Sequence, residues 1–265
     1  MELIRPEWPA PPWVRAISTT RDGGRSEGPF ASLNLGDHVG DEPARVADNR
    51  ARLLARLGLS AEPCWLRQVH GRAIVRAGTA NPDREADGAL ADTPGAVCVV
   101  MTADCLPLLL CDAQGTRVAA VHAGWRGLAG GVLEAAVAAL DIAPERLLVW
   151  LGPAIGPAAF AVGDEVRERF VAADARAAAA FRSGPPTDAG EPLGGPWFAD
   201  LFLLARQRLA QLGIARIYGG GDCTFSQPRR FFSYRRDGVT GRMASLIWLA
   251  PRAENSARKQ GADQT

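Results

Sequence analysis

The sequence holds three histidines, His38, His70 and His122. Two of them sit where apolar segments run out into glycine-containing turns, His70 in "RQVHG" and His122 in "VHAGWRG". Between them lies "MTADCLPLLLCD" at 101–112, an apolar run interrupted by Ala103, Asp104 and Cys105. Strand ends that feed turns are where sites are usually built. Two neutral imidazoles and one thiolate form a borderline-soft donor set that suits zinc, and three protein ligands leave a fourth position open for a reactant. The separations are long: 122 − 105 = 17 residues and 105 − 70 = 35 residues. These are not zinc-finger spacings, so the three can meet only if their strands are neighbours. A simpler reading competes. A cysteine on an apolar strand is commonly a small buried hydrophobe, and that is the reading for Cys64, Cys98 and Cys111. A histidine before a glycine is often satisfied within the structure. Spacing alone leaves both readings open.

The neighbouring residues divide in the same way. Asp104 is either a turn residue bonded to backbone N–H groups or a proton donor beside a metal. Arg126 follows Trp125 at a helix start. It is either a surface charge stacked on the indole or an anion clamp aided by the helix N-terminus and a glycine-rich turn. "FFSYRRDG" places Arg235 and Arg236 behind two aromatics, which fits a salt-bridged hairpin tip as well as a binding role. Cys105 with His122 as its base and no metal would make a Cys-His amidohydrolase. His70 separates that reading from the zinc reading, because a dyad needs no third ligand.

The elements that must position these groups belong to an ordinary globular chain of 265 residues, 47% hydrophobic and 22% charged, with net charge +1. No charge run suggests a nucleic-acid or membrane partner. The N-terminus lacks a basic segment followed by an apolar one, so no signal peptide is expected. The apolar run at 101–112 is broken by Asp104, well short of a membrane span. Five scattered cysteines without a CxxC pair predict free thiols and a cytoplasmic location. Strands are expected at 14–20, 64–71, 73–78, 96–100, 107–112, 117–124, 215–224 and 242–250, with another starting at 146 and running into a Pro/Gly loop that ends at 157. Helices are expected at 42–58, 125–141, 163–181 and 198–213. The interleaving predicts one α/β (α+β-like) domain over 1–250, with mixed β-sheets flanked by helices. The 182–196 stretch reads as a mobile loop and 251–265 as a disordered tail.

Together "RQVHG", "TADCLPLLL", "VHAGWRGLAGG", "GPAIGP" and "FFSYRRDG", followed by "TGRMAS", resemble the YfiH-type family. That family is also labelled laccase-domain, multicopper polyphenol oxidase, purine nucleoside phosphorylase or peptidoglycan editing factor. The resemblance covers 17–249 and includes "SLNLGDHVGD" and the helix bearing Asn49 and Arg50. It implies a single YfiH-like domain of the cysteine-hydrolase type and a zinc site at His70, Cys105 and His122, where copper is also possible. It implies phosphorolysis of adenosine, inosine and methylthioadenosine, deamination of adenosine, and in some members removal of a misplaced serine from a peptidoglycan precursor. The partners are then purine nucleosides and phosphate, and the protein a monomer or small homo-oligomer. Asn34 and Arg50, from the matching N-terminal motif, join Arg126 as candidate phosphate ligands, and Asp104 is the candidate general acid or base.

Chemistry weighs these labels. A multicopper oxidase needs a blue-copper site and a separate histidine-rich cluster, and three histidines cannot build both. The zinc-deaminase signature HxE with a later PCxxC is absent.

Overall fold

The two apolar runs that flank Asp104 and Cys105 lie in different sheets. The computed structural model describes residues 1–59, 61–78, 85–184 and 195–251. The N-terminal half contains β1 (Leu3–Ile4), β2 (Val14–Thr19), α1 (Pro43–Leu57), β3 (Ile74–Arg76), β4 (Gly88–Ala91), β5 (Val97–Thr102), β6 (Leu106–Asp112) and β7 (Val118–Ala123). There follow α2 (Trp125–Gly130), α3 (Val132–Leu140), β8 (Leu147–Leu151), β9 (Ala161–Val162), α4 (Asp164–Ala173) and β10 (Phe181–Ser183). The chain closes with β11 (Trp197–Ala199), α5 (Leu201–Gln211), β12 (Arg216–Gly219), α6 (Tyr234–Asp237) and β13 (Met243–Leu249).

A four-stranded antiparallel sheet runs β1-β2-β13-β5, and a six-stranded mixed sheet runs β12-β8-β6-β7-β4-β3. Cys98, Val100 and Ile247 of the first share a core with Leu109, Cys111, Ala120 and Leu148 of the second. Leu108, Leu110 and Val121 point the other way, into a core shared with Leu133 and Ala136 of α3 and Leu204 of α5. Helix α1 covers the outer face of the four-stranded sheet through Leu53, which packs with Val97, Val99 and Leu246. The layers are therefore helix, sheet, sheet, helix. Both faces of β6 are buried, which is why "LPLLLCD" reads as an unbroken apolar run rather than an alternating one. No helix among the described residues is long and apolar enough to cross a membrane.

Local signals explain most boundaries. Helix α1 starts on Pro43 and stops at Gly58, whose φ of 65° closes the helix in the left-handed region. Asp200 caps α5 by accepting from Leu203 N. Four expectations change. The helix expected at 125–141 breaks at Gly131, φ 92°, into α2 and α3. The helix expected at 163–181 ends at the extended Asp174, whose side chain starts a 3₁₀ segment over Ala175–Ala180. Residues 64–71 make only isolated bridges, Cys64 to Cys98 and Arg67 to Glu85, instead of a strand. "FFSYRRDG" is not a hairpin tip but the one-turn helix α6, capped by Ser233. Most of the loop expected at 182–196 and nearly all of the tail expected at 251–265 lie outside the described residues.

Candidate active site

Strands β6 and β7 form a hairpin in which Leu106 pairs with Ala123 and Pro107 with His122. Cys105, just before β6, therefore stands across from Gly124, just after β7. The third member arrives from the segment leading into β3: His70 adopts a left-handed φ of 58°. The donor atoms of His70, Cys105 and His122 all lie within 4.8 Å of one another. Cys105 Sγ is 3.7 Å from His70 Nε2. Sulfur and nitrogen bound to one tetrahedral zinc stand about 3.5 Å apart, given the usual bond lengths. The three side chains thus fit a zinc ion. Gly124 is required for this approach, since a Cβ there would sit 2.6 Å from His70 Cδ2 and 3.1 Å from Cys105 Sγ.

Asp87 organises the cluster. It is fully buried, and its carboxylate accepts from the backbone N–H groups of Val69, His70 and Gly71 at 3.3, 2.9 and 2.6 Å. The same carboxylate lies 2.8 Å from His122 Nδ1. It therefore holds the loop that carries His70 and fixes the proton of His122 on Nδ1, leaving Nε2 for a ligand. Burial pushes the Asp87 carboxyl upward, but the bonds from His122 and the backbone outweigh it and hold it below the carboxylate range. Burial likewise opposes ionisation of Cys105, yet His122 and His70 draw the thiol down to about 6. His122, against the pull of burial, is raised to about 9 by Cys105 and Asp87. Without a metal the pair is a thiolate beside an imidazolium.

The cluster forms the floor of a cavity of about 640 Å³. Its walls carry Arg126, Arg235, Arg242, His38, Tyr234 and Phe160, with Glu165 as the acidic residue among them. The cavity is thus rich in positive charge. Arg126 stacks over Trp125 at 4.4 Å, at the cavity edge. Arg235 is held over Phe160 and donates to Ala161 O.

Three sequence candidates take other roles. Both oxygens of Asp104 are occupied, one by Thr224 Oγ1 at 2.6 Å and one by Arg235 N at 2.6 Å. With φ at 96°, it links the break between β5 and β6 to α6 and positions Arg235 rather than facing a reactant. Asn34 is fully buried. Its amide bonds Gly36, Asp41 and the backbone N of Arg242, so nothing remains for phosphate. Arg50 lies outside the cavity: it donates to Leu35 O, pairs with Asp37 and stacks over Trp65. Asp87, Arg242 and His38 did not stand out in the sequence as site residues. The one signal for Asp87 was an acidic residue opening the small apolar run "GALA".

A family model described as multi-copper polyphenol oxidoreductase laccase matches residues 15–250. The chain belongs to this family. Curated relatives carry a different label. A protein of Escherichia coli K12 named purine nucleoside phosphorylase YfiH is 53% identical over 94% of this chain and 99% of its own. A Pseudomonas aeruginosa protein named purine nucleoside phosphorylase is 55% identical over 93% of this chain and 98% of its own. A Neisseria meningitidis crystal structure superposes with a TM-score of 0.85 at 46% identity, covering 95% of this chain and 100% of that one. The Bacillus licheniformis YfiH structure gives 0.78 at 31% identity over 89% and 92%. YfiH-type membership and the mixed α/β fold expected from the sequence both hold.

Proposed function

We propose that the protein is a zinc-dependent purine nucleoside phosphorylase acting on adenosine, inosine and methylthioadenosine, with adenosine deamination as a second activity of the same site. The observation that carries this reading is the His70–Cys105–His122 cluster on the floor of a cationic cavity large enough for a nucleoside. The names of the relatives supply the substrate class. In phosphorolysis a phosphate oxygen bonds to C1′ of the ribose while the C1′–N9 bond breaks and its electron pair leaves with the base. Zinc, when bound, supplies a Lewis acid beside the reacting oxygen. The arginines of the wall orient and neutralise phosphate, and the aromatic Phe160 and Tyr234 offer faces to a purine. Zinc is preferred because two imidazoles and a thiolate with an open fourth position suit it; the described residues contain one cluster of this kind, and His38 alone remains for the further centre that a multicopper oxidase needs. The five free cysteines fit a reducing, cytoplasmic setting.

The test is zinc-quantified protein given adenosine with and without phosphate. Adenine formed only with phosphate supports the phosphorylase, and inosine formed without it supports the deaminase. Absence of both products with zinc bound refutes the reading. A second reading has one observation in its favour. Asp87, His122 and Cys105 form an acid–base–nucleophile series that would suit a Cys-His amidohydrolase acting on a peptidoglycan precursor. His70→Ala separates the two, because only the zinc reading needs that side chain.

A further inference from the structure

Many arginines among the described residues pair with a carboxylate, and those of the cavity wall do not. Arg45, Arg146, Arg208 and Arg230, for example, each pair with a carboxylate. Among the described residues, Arg126, Arg235 and Arg242 pair with none. Arg242 is also the most confined. Its stem lies on Gly36, where a Cβ would come within 2.8 Å of Arg242 Cγ. Its backbone is fixed at both ends, the N–H by Asn34 Oδ1 at 2.9 Å and the carbonyl by Leu35 N at 3.1 Å. In the guanidinium, Nη1 donates to Thr240 O and Gly241 O. Nε and Nη2 make no hydrogen bond to any described residue. Two donor atoms of a half-buried, always-charged group thus lack an acceptor among the described residues, and that group lines the cavity that holds Cys105 and both histidines. A guanidinium fork matches a tetrahedral oxyanion, and partial burial strengthens the attraction.

We propose that Arg242, set in place by Asn34, anchors an oxyanion subsite beside the metal ligands, and that inorganic phosphate is its ligand. Burial lowers the basicity of the group, and nearby Cys105 and Asp104 offset that only in part. Only the identity of the anion rests on the phosphorolysis reading. The subsite itself rests on Nε and Nη2 of Arg242, which have no acceptor among the described residues.

The experiment measures phosphate binding by calorimetry on zinc-loaded wild-type, Arg242→Met and Arg242→Lys proteins, with zinc content recorded for each. Steady-state phosphorolysis follows, with phosphate and nucleoside varied separately. Arg242→Met is expected to weaken phosphate binding and raise the KM for phosphate by about 10- to 100-fold, the effect of losing charge-assisted bonds. Zinc content and the KM for nucleoside stay at the wild-type level. Arg242→Lys keeps the stem and charge without the fork, so it falls between the two and serves if the methionine variant does not fold. Phosphate bound equally by wild type and both variants overturns the subsite, as does a wild type that binds no phosphate. Phosphate binding lost in Arg242→Met while no variant cleaves a nucleoside keeps the subsite and removes the phosphorolysis reading. Unchanged phosphate KM in an active Arg242→Met enzyme does the reverse. A nucleoside diphosphate that binds more tightly than phosphate, and is lost equally, overturns inorganic phosphate as the ligand.

Discussion

Strand β6 carries a cysteine near each end, and the two could hardly differ more. Cys111, at the far end, is fully buried beside Asp112, and burial followed by that carboxylate pushes its thiol up to about 12. Cys105, half-buried just before the near end, is drawn down to about 6 by two histidines, although burial opposes its ionisation. The aspartates repeat the contrast. Asp112 and Asp87 are both fully buried in or beside the six-stranded sheet. Asp112 accepts from Thr116 and Arg146 and closes a turn. Asp87 accepts from three backbone N–H groups and from His122. Full burial is common to both aspartates. What makes one end reactive is which cationic or imidazole groups the fold delivers to it.

The largest expected effect falls on the thiols. Cys105→Ala should empty the metal site and lower phosphorolysis by roughly 10³-fold or more, the scale of losing a metal's contribution. Cys111→Ala should keep metal and activity and lose about 1 kcal/mol of stability in a denaturant titration. Equal activity losses in the two would dissolve the contrast.

The aspartates come next. Asp87→Asn is expected to weaken metal affinity by about 10- to 100-fold, as for a histidine stripped of its carboxylate partner. Competition with a chelator measures it. Asp112→Asn should leave that affinity unchanged and reduce stability by about 1–3 kcal/mol, the cost of disturbing a buried hydrogen-bonded group.

Glycines at the two ends of the β6–β7 hairpin sharpen the point further. Gly124→Ala places a methyl group against His70 and Cys105, so metal content should fall while the fold persists. Gly115→Ala, at φ 60° and with its new Cβ 2.5 Å from Trp13 Nε1, should lower stability by about 1–3 kcal/mol through backbone strain and crowding and leave metal content unchanged. The smallest effect is one of labelling. After chelation, iodoacetamide should modify Cys105, and zinc should protect it, whereas the fully buried Cys98 and Cys111 stay unmodified in both states. Mass spectrometry of digested protein reads this out.

How much of this the sequence discloses follows from how local the cause is. Helix α1 is legible because Pro43, Gly58 and the apolar spacing lie within one segment. The strand character of 97–112 is legible too, but its division between two sheets is not, because an Ala-Asp-Cys break looks the same in either case. The three residues of the His70–Cys105–His122 cluster stood out by type and by their place at strand ends. Asp87 did not, since its bonds to His70 and His122 span 17 and 35 residues. Asn34 read as a phosphate ligand and Asp104 as an acid or base, yet each spends its side chain on hydrogen bonds that include one fixing an arginine of the cavity wall. Polar residue type marks the neighbourhood of a site. Which polar group faces the reactant is decided by long-range hydrogen bonds that no short motif contains.

The most direct test of the proposed zinc centre combines metal analysis with product analysis on wild-type, His70→Ala, Cys105→Ala and His122→Ala proteins. Wild type should hold about one zinc per chain, the count set by a single three-ligand site, and convert adenosine and phosphate to adenine. Each variant should lose both together. Stoichiometric zinc retained in the variants, or phosphorolysis undiminished in metal-free His122→Ala, would contradict the assignment.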